Sequence, residues 1–147
     1  MKIPPEQFYN LGDKRKLAKT AAEVVRSNHD DESYSAILCL VACYIDGLST
    51  GEREDYLQTL RDHFPALCSE LGAEVFYRAY RNGIVHNFSP KRGYGIARGS
   101  DLGERRAVSL TVGEALQPII AVNIDKLADD FIAFAKSVAA QSQEGES

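Results

Sequence analysis

The feature that most constrains this chain is an uninterrupted apolar run from Ala36 to Ile45. Ten residues are about half of what a membrane-spanning helix needs. A helix over this run is apolar almost all round, so it has to lie at the centre of a core. A chain of 147 residues can bury such a core without disulfides or metals. We therefore expect one helical domain over residues 1–140, followed by a flexible polar tail over residues 141–147.

Amphipathic segments on both sides of this run supply the elements that would pack around it. The apolar spacing predicts a first helix over Glu6 to Ser27, with Leu11 and Ala21 among its buried positions. A third helix over Glu52 to Phe64 and a fourth over Ala66 to Val85 follow, and a last helix begins at Asn123 or Ile124. The inward stripe of the third helix is predicted to be Tyr56, Leu57, Leu60 and Phe64, and that of the last helix Leu127, Phe131, Phe134 and Val138.

Between the fourth and last helices the pattern changes to two short strand-like stretches. Residues Gly93–Gly99 and Arg105–Val112 alternate in the manner of strands, and a turn rich in Gly, Ser and Asp separates them. We expect a small β-hairpin here. The predicted fold class is therefore all-α, an up-and-down bundle of about five helices with a β-hairpin insert before the last helix.

The termini and the cysteines indicate a reduced, cytoplasmic protein. No apolar signal segment follows Met1, and the three cysteines Cys39, Cys43 and Cys68 fit reduced core thiols. Cys39 and Cys43 are four residues apart, but no second Cys or His pair has the ligand spacing of a zinc site, and no glycine fingerprint for a nucleotide is present. The run His29 to Glu32 is interpreted as the acidic start of a helix, not as a metal site. We expect no metal and no cofactor.

Positive charge is concentrated in one part of an acidic chain. Seven cations and two anions lie between Arg78 and Arg106, a net charge of +5, while the rest of the chain carries −9. Aromatic residues interleave with these cations and are suited to stacking on bases. The alternative is a solvated hairpin with chance charge and buried aromatics. The candidate RNA contacts are Lys91, Arg92, Arg98, Arg105 and Arg106.

The candidate catalytic residues lie at the end of the fourth helix, where Arg81 is followed by Asn82 and, four residues after that, by His86. Asn82 and His86 share a helix face, whereas Arg81 and His86 are roughly 140° apart on an ideal helix. They would converge through a loosened last turn at Gly83 or across a two-fold axis with a second subunit. Neutral His can take the proton of a ribose 2′-hydroxyl, and Arg stabilises the charge that develops on phosphorus. The second His86 of a symmetric dimer would supply the acid. The alternative is a capping His beside an Arg in a surface ion pair.

The segment Tyr80-Arg81-Asn82-Gly83-Ile84-Val85-His86 resembles the signature of HEPN domains, small helical domains carrying an Arg, four to six residues and then a His. The resemblance implies a dimerising bundle in which two motifs form one cleft. Many members are metal-independent endoribonucleases, often toxins or RNA-processing components, and others are inactive modules. It further implies catalytic roles for Arg81 and His86 and a supporting role for Asn82. The hairpin insert and the internal Gly83 depart from the minimal pattern.

Two hypotheses follow, and they differ in whether the chain is an enzyme. In the first, the chain is a homodimeric, metal-independent endoribonuclease, a hydrolase-class enzyme, with its composite site at the interface. In the second, it is a catalytically inactive module of the same architecture that binds RNA, a nucleotide or a partner protein, for example an antitoxin in a toxin–antitoxin pair. Cleavage of RNA in EDTA by the wild type and by His86→Ala distinguishes them.

Overall fold

The computed structural model describes residues 1–8 and 12–141, and the described chain is mostly helical. After a short 3₁₀ turn at Pro5–Gln7, the first long helix, α1, spans Lys14–Asp30. Asp13 caps it by accepting the backbone N–H of Arg15 at 3.1 Å, which satisfies one of the unpaired donors of its first turn. The predicted start at Glu6 is therefore wrong. The predicted buried residue Leu11 lies outside the described residues, as does the tail from 142 to 147.

The apolar run forms α2, which spans Tyr34–Leu48. Its inward face is buried, so the prediction of a core helix holds for that face. The prediction of core thiols is wrong at Cys43, which is exposed, and Cys39 and Cys68 are only half-buried. Helix α3, Arg53–His63, confirms the predicted stripe of Tyr56, Leu57, Leu60 and Phe64, all fully buried.

The fourth predicted helix is broken into two parts. Helix α4 spans Pro65–Glu70, and the chain then turns at Gly72 with φ of 101°. Such a positive φ is accessible to glycine without strain, and it ends the helix. A continuous helical stretch follows, made of α5 (Ala73–Phe76), a π-helical segment (Tyr77–Arg81) and α6 (Asn82–Asn87).

A three-stranded sheet replaces the predicted hairpin. Strand β1 (Tyr94–Ala97) is followed by a helical turn, α7 (Gly99–Leu102), and by strands β2 (Ala107–Val112) and β3 (Gln117–Asn123). The strand order is β1-β3-β2, with β1 parallel and β2 antiparallel to β3.

The predicted pairing of the first two strands is wrong because α7 occupies the place of the expected turn. The N–H of Gly99 donates to Oδ2 of Asp125 at 2.5 Å, which fixes α7 against the last helix. The tight connection instead joins β2 to β3 through Gly113 and Leu116, both with positive φ. Strand β3 was not predicted, and it is the central strand to which both others pair.

The last helix, α8, spans Ile124–Ala139 and confirms the predicted cap and stripe. The Asn123 side chain accepts the N–H of Lys126 at 3.1 Å and donates to the carbonyls of Gly103 and Arg105. The Asn123 side chain is fully buried, and these bonds occupy its amide. The stripe of Leu127, Phe131, Phe134 and Val138 is buried.

Side-chain contacts fix the relative direction of the three long helices. Lys14, at the start of α1, donates to the carbonyl of Gly47 at the end of α2 at 2.5 Å. His29, near the end of α1, contacts Asp125 at the start of α8 at 2.6 Å. Helix α1 therefore runs antiparallel to both α2 and α8. Within the described residues no single helix is long and apolar enough to cross a membrane, and only α2 with α3, bent by 110°, meets that test as a pair.

Candidate active site

Arg81 is held in place by three neighbours at the junction between the π-helical segment and α6. Its Nε donates to Oδ2 of Asp46 at 2.9 Å, and its Nη1 donates to Oδ1 of Asn82 at 2.9 Å. The guanidinium carbon lies 5.0 Å from the ring centroid of Tyr77, within the range of a cation–π contact. The side chain of Arg81 is 20% exposed. The predicted association of Arg81 with Asn82 is thus present.

The guanidinium of Arg81 remains charged and keeps free donors. Burial disfavours its charged form, but the hydrogen bond and the charge of Asp46 outweigh that effect and raise the pKa of Arg81. An arginine carries five N–H donors, and the two hydrogen bonds above use two of them. Because the remaining donors have no protein partner within the described residues, Arg81 can still bind a phosphate oxygen.

Asp46 is the residue of the candidate site that the sequence did not lead us to expect. It lies near the end of α2, and its Oδ1 is buried without a hydrogen-bond partner within the described part of the chain. Its ion pair with Arg81 therefore provides its main compensation. A signal was present in the sequence, because Asp46 is the one charged residue between Ser33 and Thr50. A carboxylate in such a run requires a cationic partner.

Two tyrosines close the inner side of this ion pair. Tyr56 and Tyr77 meet edge to face with 5.1 Å between ring centroids. The hydroxyl of the fully buried Tyr56 donates to the carbonyl of Ala42 at 3.0 Å. Burial, reinforced by the nearby charge of Asp46, raises the pKa of Tyr56 well above its usual value, so this hydroxyl stays protonated. Two aromatic rings therefore line the inner side of the ion pair, and surroundings of this kind strengthen the interaction between Asp46 and Arg81.

His86 lies apart from Arg81 in a single chain. It is exposed in α6, and its ring has no hydrogen bond within residues 1–8 and 12–141. It lies five positions along the helix from Arg81, a rise of about 7.5 Å along the axis. The structure therefore joins Arg81 to Asn82 by a hydrogen bond. His86 shares a helix face with Asn82, but no hydrogen bond joins it to either residue in the described part of the chain.

The helix that carries these residues is fixed to the sheet and to the following loop. The Tyr80 hydroxyl lies 2.6 Å from the carbonyl oxygen of Gly95 and 3.1 Å from that of Ile120. The loop after α6 folds back, so that the N–H of Lys91 donates to the carbonyl of Ala79 at 2.8 Å. Gly83 permits this return, because a Cβ there would lie 2.4 Å from the carbonyl oxygen of Ser89.

The candidate RNA contacts divide between the two ends of the sheet. Lys91 and Arg92 are exposed before β1, whereas Arg98 follows β1 and Arg105 precedes β2 at the opposite end. Strand β1 spans about 13 Å, so the five cations do not form one compact patch. Arg98 stacks over Tyr34 with its guanidinium carbon 4.7 Å from the ring centroid.

Arg106 is engaged in the fold. Its Nε and Nη2 donate to the two carboxylate oxygens of Asp130 at 3.2 and 3.1 Å. Its Nη1 donates to the carbonyl of Glu104 at 2.9 Å, and its backbone N–H to a carboxylate oxygen of Glu70 at 3.0 Å. The hydrogen bond and charge of Asp130 raise the pKa of Arg106 despite partial burial.

The other two histidines also have structural surroundings. His29 lies in the last turn of α1, so its predicted place at the start of a helix is wrong. The N–H of Gly99 and the His29 ring lower the pKa of Asp125, outweighing the opposing effect of burial. His63 packs on Phe134 with 4.6 Å between ring centroids. The described residues contain no cluster of three or more His, Cys, Asp or Glu arranged to hold a metal ion.

Comparison with known proteins adds no relative. No family model, no curated protein and no solved structure matches this chain. The interpretation of the site therefore rests on the geometry of its own residues.

Proposed function

We propose that this chain is a metal-independent endoribonuclease of the HEPN type, acting as a homodimer with Arg81 and His86 in one composite cleft. The observation that carries the proposal is the restrained Arg81. Its Asp46 and Asn82 partners fix the guanidinium while leaving donors available for a phosphate. An exposed His86 follows on the same helix. Arg81 is the last residue of a π-helical segment, and such segments are frequent at functional sites.

The architecture is compatible with this family. Helix α1 is antiparallel to α2 and to α8, which is consistent with the up-and-down core expected of a HEPN bundle, and the motif lies on a late helix, as in the family pattern. The sheet before α8 is then an insertion in this bundle. We place the protein in the cytoplasm on the basis of its sequence.

The reaction uses His86 as base and acid in two subunits. A neutral His86 takes the proton from a ribose 2′-hydroxyl, and the 2′-oxygen attacks the adjacent phosphorus. The new bond from the 2′-oxygen to phosphorus forms as the bond to the 5′-oxygen breaks. The partner's His86, protonated, donates its proton to the departing 5′-oxygen. Arg81 stabilises the additional negative charge on the phosphate in the transition state, and the products are a 2′,3′-cyclic phosphate and a 5′-hydroxyl.

Exposed apolar side chains beside His86 support the dimer. Val85 is 46% exposed and Phe88 is 84% exposed. Phe88 also adopts a left-handed conformation with φ of 56°, which ends α6. Two apolar side chains next to a candidate catalytic residue are suited to a self-complementary contact with the same surface of a second copy.

A second candidate is favoured by the ion pair itself. Asp46 needs Arg81 to compensate its buried carboxylate, so Arg81 has a structural reason to be present. His86 has no second residue to orient its ring within the described chain. A catalytically inactive module that binds RNA, a nucleotide or an antitoxin-type protein would show the same features.

Cleavage of RNA in EDTA tests the proposal. We expect the wild type to release fragments ending in 2′,3′-cyclic phosphate, and His86→Ala to lower the rate by about 10²- to 10⁴-fold. Arg81→Ala is expected to lower it similarly, provided that circular dichroism shows a folded protein. Asn87→Ala, an exposed neighbour of His86, is the matched control and retains activity. An inert wild type on diverse RNAs refutes the nuclease proposal, and full activity of His86→Ala refutes the site.

A further inference from the structure

A basic groove lies between α1 and α8, away from the residues discussed above. One cleft of about 380 Å³ has a floor of Ala22, Ala139 and Ala140. A second cleft of about 350 Å³ adjoins it and shares Lys19 and Ala139 with it. Because alanine has no side chain beyond Cβ, a ligand lying in this groove can approach both helix backbones closely.

The walls of the groove are positively charged. Four exposed cations line it: Lys16, Lys19, Arg26 and Lys136. None of the four forms a salt bridge among the described residues. The lining anions are Asp13, which caps α1, and Glu23. The groove is thus a local positive region on a chain whose net charge is −4.

We propose that this groove holds the phosphodiester backbone of a single-stranded nucleic acid. From Asp13 to Arg26 it follows α1 for about 20 Å, long enough for several consecutive phosphates. Its lining contains no aromatic residue on which a base could stack. Lysine binds phosphate as a point charge on a flexible stem, so recognition is through the backbone and independent of sequence.

The position of the groove relates it to the candidate active site. Lys14, at the start of α1, donates to the carbonyls of Gly47 and Ser49 at the end of α2. Asp46, one residue before Gly47, holds Arg81. The Lys16 end of the groove therefore lies at the same end of the bundle as Arg81. A nucleic-acid strand bound in the groove would be directed toward Arg81. This link between the groove and Arg81 rests on the proposed function.

Fluorescence anisotropy with a labelled single-stranded RNA measures this binding. The titrations use the full chain carrying His86→Ala, so that the probe is not cleaved. Four phosphate contacts predict a slope of about −2.8 for log K against log salt, or about 50-fold weaker binding between 50 and 200 mM salt. Lys19→Gln with Lys136→Gln is expected to reduce the slope to about −1.4 and to weaken binding about 25-fold at 0.1 M salt.

The matched control is Lys2→Gln with Arg61→Gln, which removes two exposed cations outside the groove. It is expected to bind like the parent. Single-stranded DNA of the same length is expected to bind as RNA does, because only the backbone is recognised. Preference for duplex RNA, absence of binding, or equal weakening in the groove and control variants overturns the proposal. Strong binding by the groove without cleavage by the wild type leaves the groove in place and refutes the nuclease proposal.

Discussion

Replacing Gly83 by alanine tests how the candidate site is built. Gly83 lies within α6, where alanine in an exposed position would favour the helix by about 1 kcal/mol. In this structure the added Cβ would lie 2.4 Å from the carbonyl oxygen of Ser89, 2.9 Å from the nitrogen of Lys91 and 3.0 Å from the carbonyl carbon of Pro90. All three are backbone atoms, so no side-chain rotation relieves the contact.

In the variant, the loop after α6 has to move, and the loss in the free energy of unfolding follows from the contacts that this loop loses. Overpacking of this kind costs about 1–3 kcal/mol. Displacing the loop also breaks the 2.8 Å hydrogen bond from Lys91 to Ala79, at about 0.5–1.5 kcal/mol. After the gain in helix propensity, we expect Gly83→Ala to lower the free energy of unfolding by about 2 kcal/mol. For a chain of this size that corresponds to a Tm lower by about 4–8 °C.

Urea and thermal unfolding followed by circular dichroism provide the measurement, with Gly47→Ala as the control. Gly47 is also helical, but an added Cβ there meets only a side-chain methyl of Leu17 at 3.3 Å. That methyl can shift, so the control is expected to change stability little. If Gly83→Ala instead stabilises the protein by about 1 kcal/mol, as at an open helical position, then the loop does not pack against Gly83 as described here.

Three further predictions concern the sheet and the last helix. Asn123→Ala removes the cap of α8 and leaves the carbonyls of Gly103 and Arg105 without their hydrogen-bond donor. It is expected to lower the free energy of unfolding in urea by about 2–4 kcal/mol, and a loss below 1 kcal/mol contradicts this. Tyr80→Phe removes the hydroxyl between β1 and β3, with an expected loss of about 1–2 kcal/mol in the same assay; wild-type stability would argue against it. Because the pKa of Asp125 is lowered by folding, its contribution is complete above about pH 4 and is lost as pH falls further. Asp125→Asn should therefore show a shallower loss of Tm than the wild type between pH 4 and pH 2, and parallel profiles would refute that role.

Local patterns in the sequence predicted the helical elements that are set by local chemistry. The stripe of α3, the stripe of α8 and the cap at Asn123 follow from spacing and side-chain type alone, and the structure has all three. The break at Gly72 was missed because a single glycine within an apolar pattern does not distinguish a weak helical position from a positive φ. The start of α1 was placed too early because Phe8 and Leu11 were joined to the apolar pattern of the helix, although Gly12 and Asp13 interrupt that pattern.

Strand pairing depended on contacts that no local pattern contains. The alternation of β1 and β2 was visible, but their partner β3 begins with Gln117 and Pro118, which do not indicate a strand. A parallel pair also requires a long connection, here including α7 and its contact with Asp125. The candidate site shows the same limit. Arg81 and Asn82 were found from one segment, whereas Asp46 comes from a helix 35 residues away.

Mixed dimers of wild type and His86→Ala test the central claim most directly. If one cleft needs His86 from both subunits, a purified mixed dimer retains a single imidazole for two proton transfers. Its RNA cleavage in EDTA is then expected to fall by about 10²- to 10⁴-fold, as in the dimer in which both subunits carry His86→Ala. If each subunit instead carries an independent site, the mixed dimer will keep half of the wild-type rate. That half-activity, or a chain that stays monomeric while it cleaves RNA, would contradict the composite site.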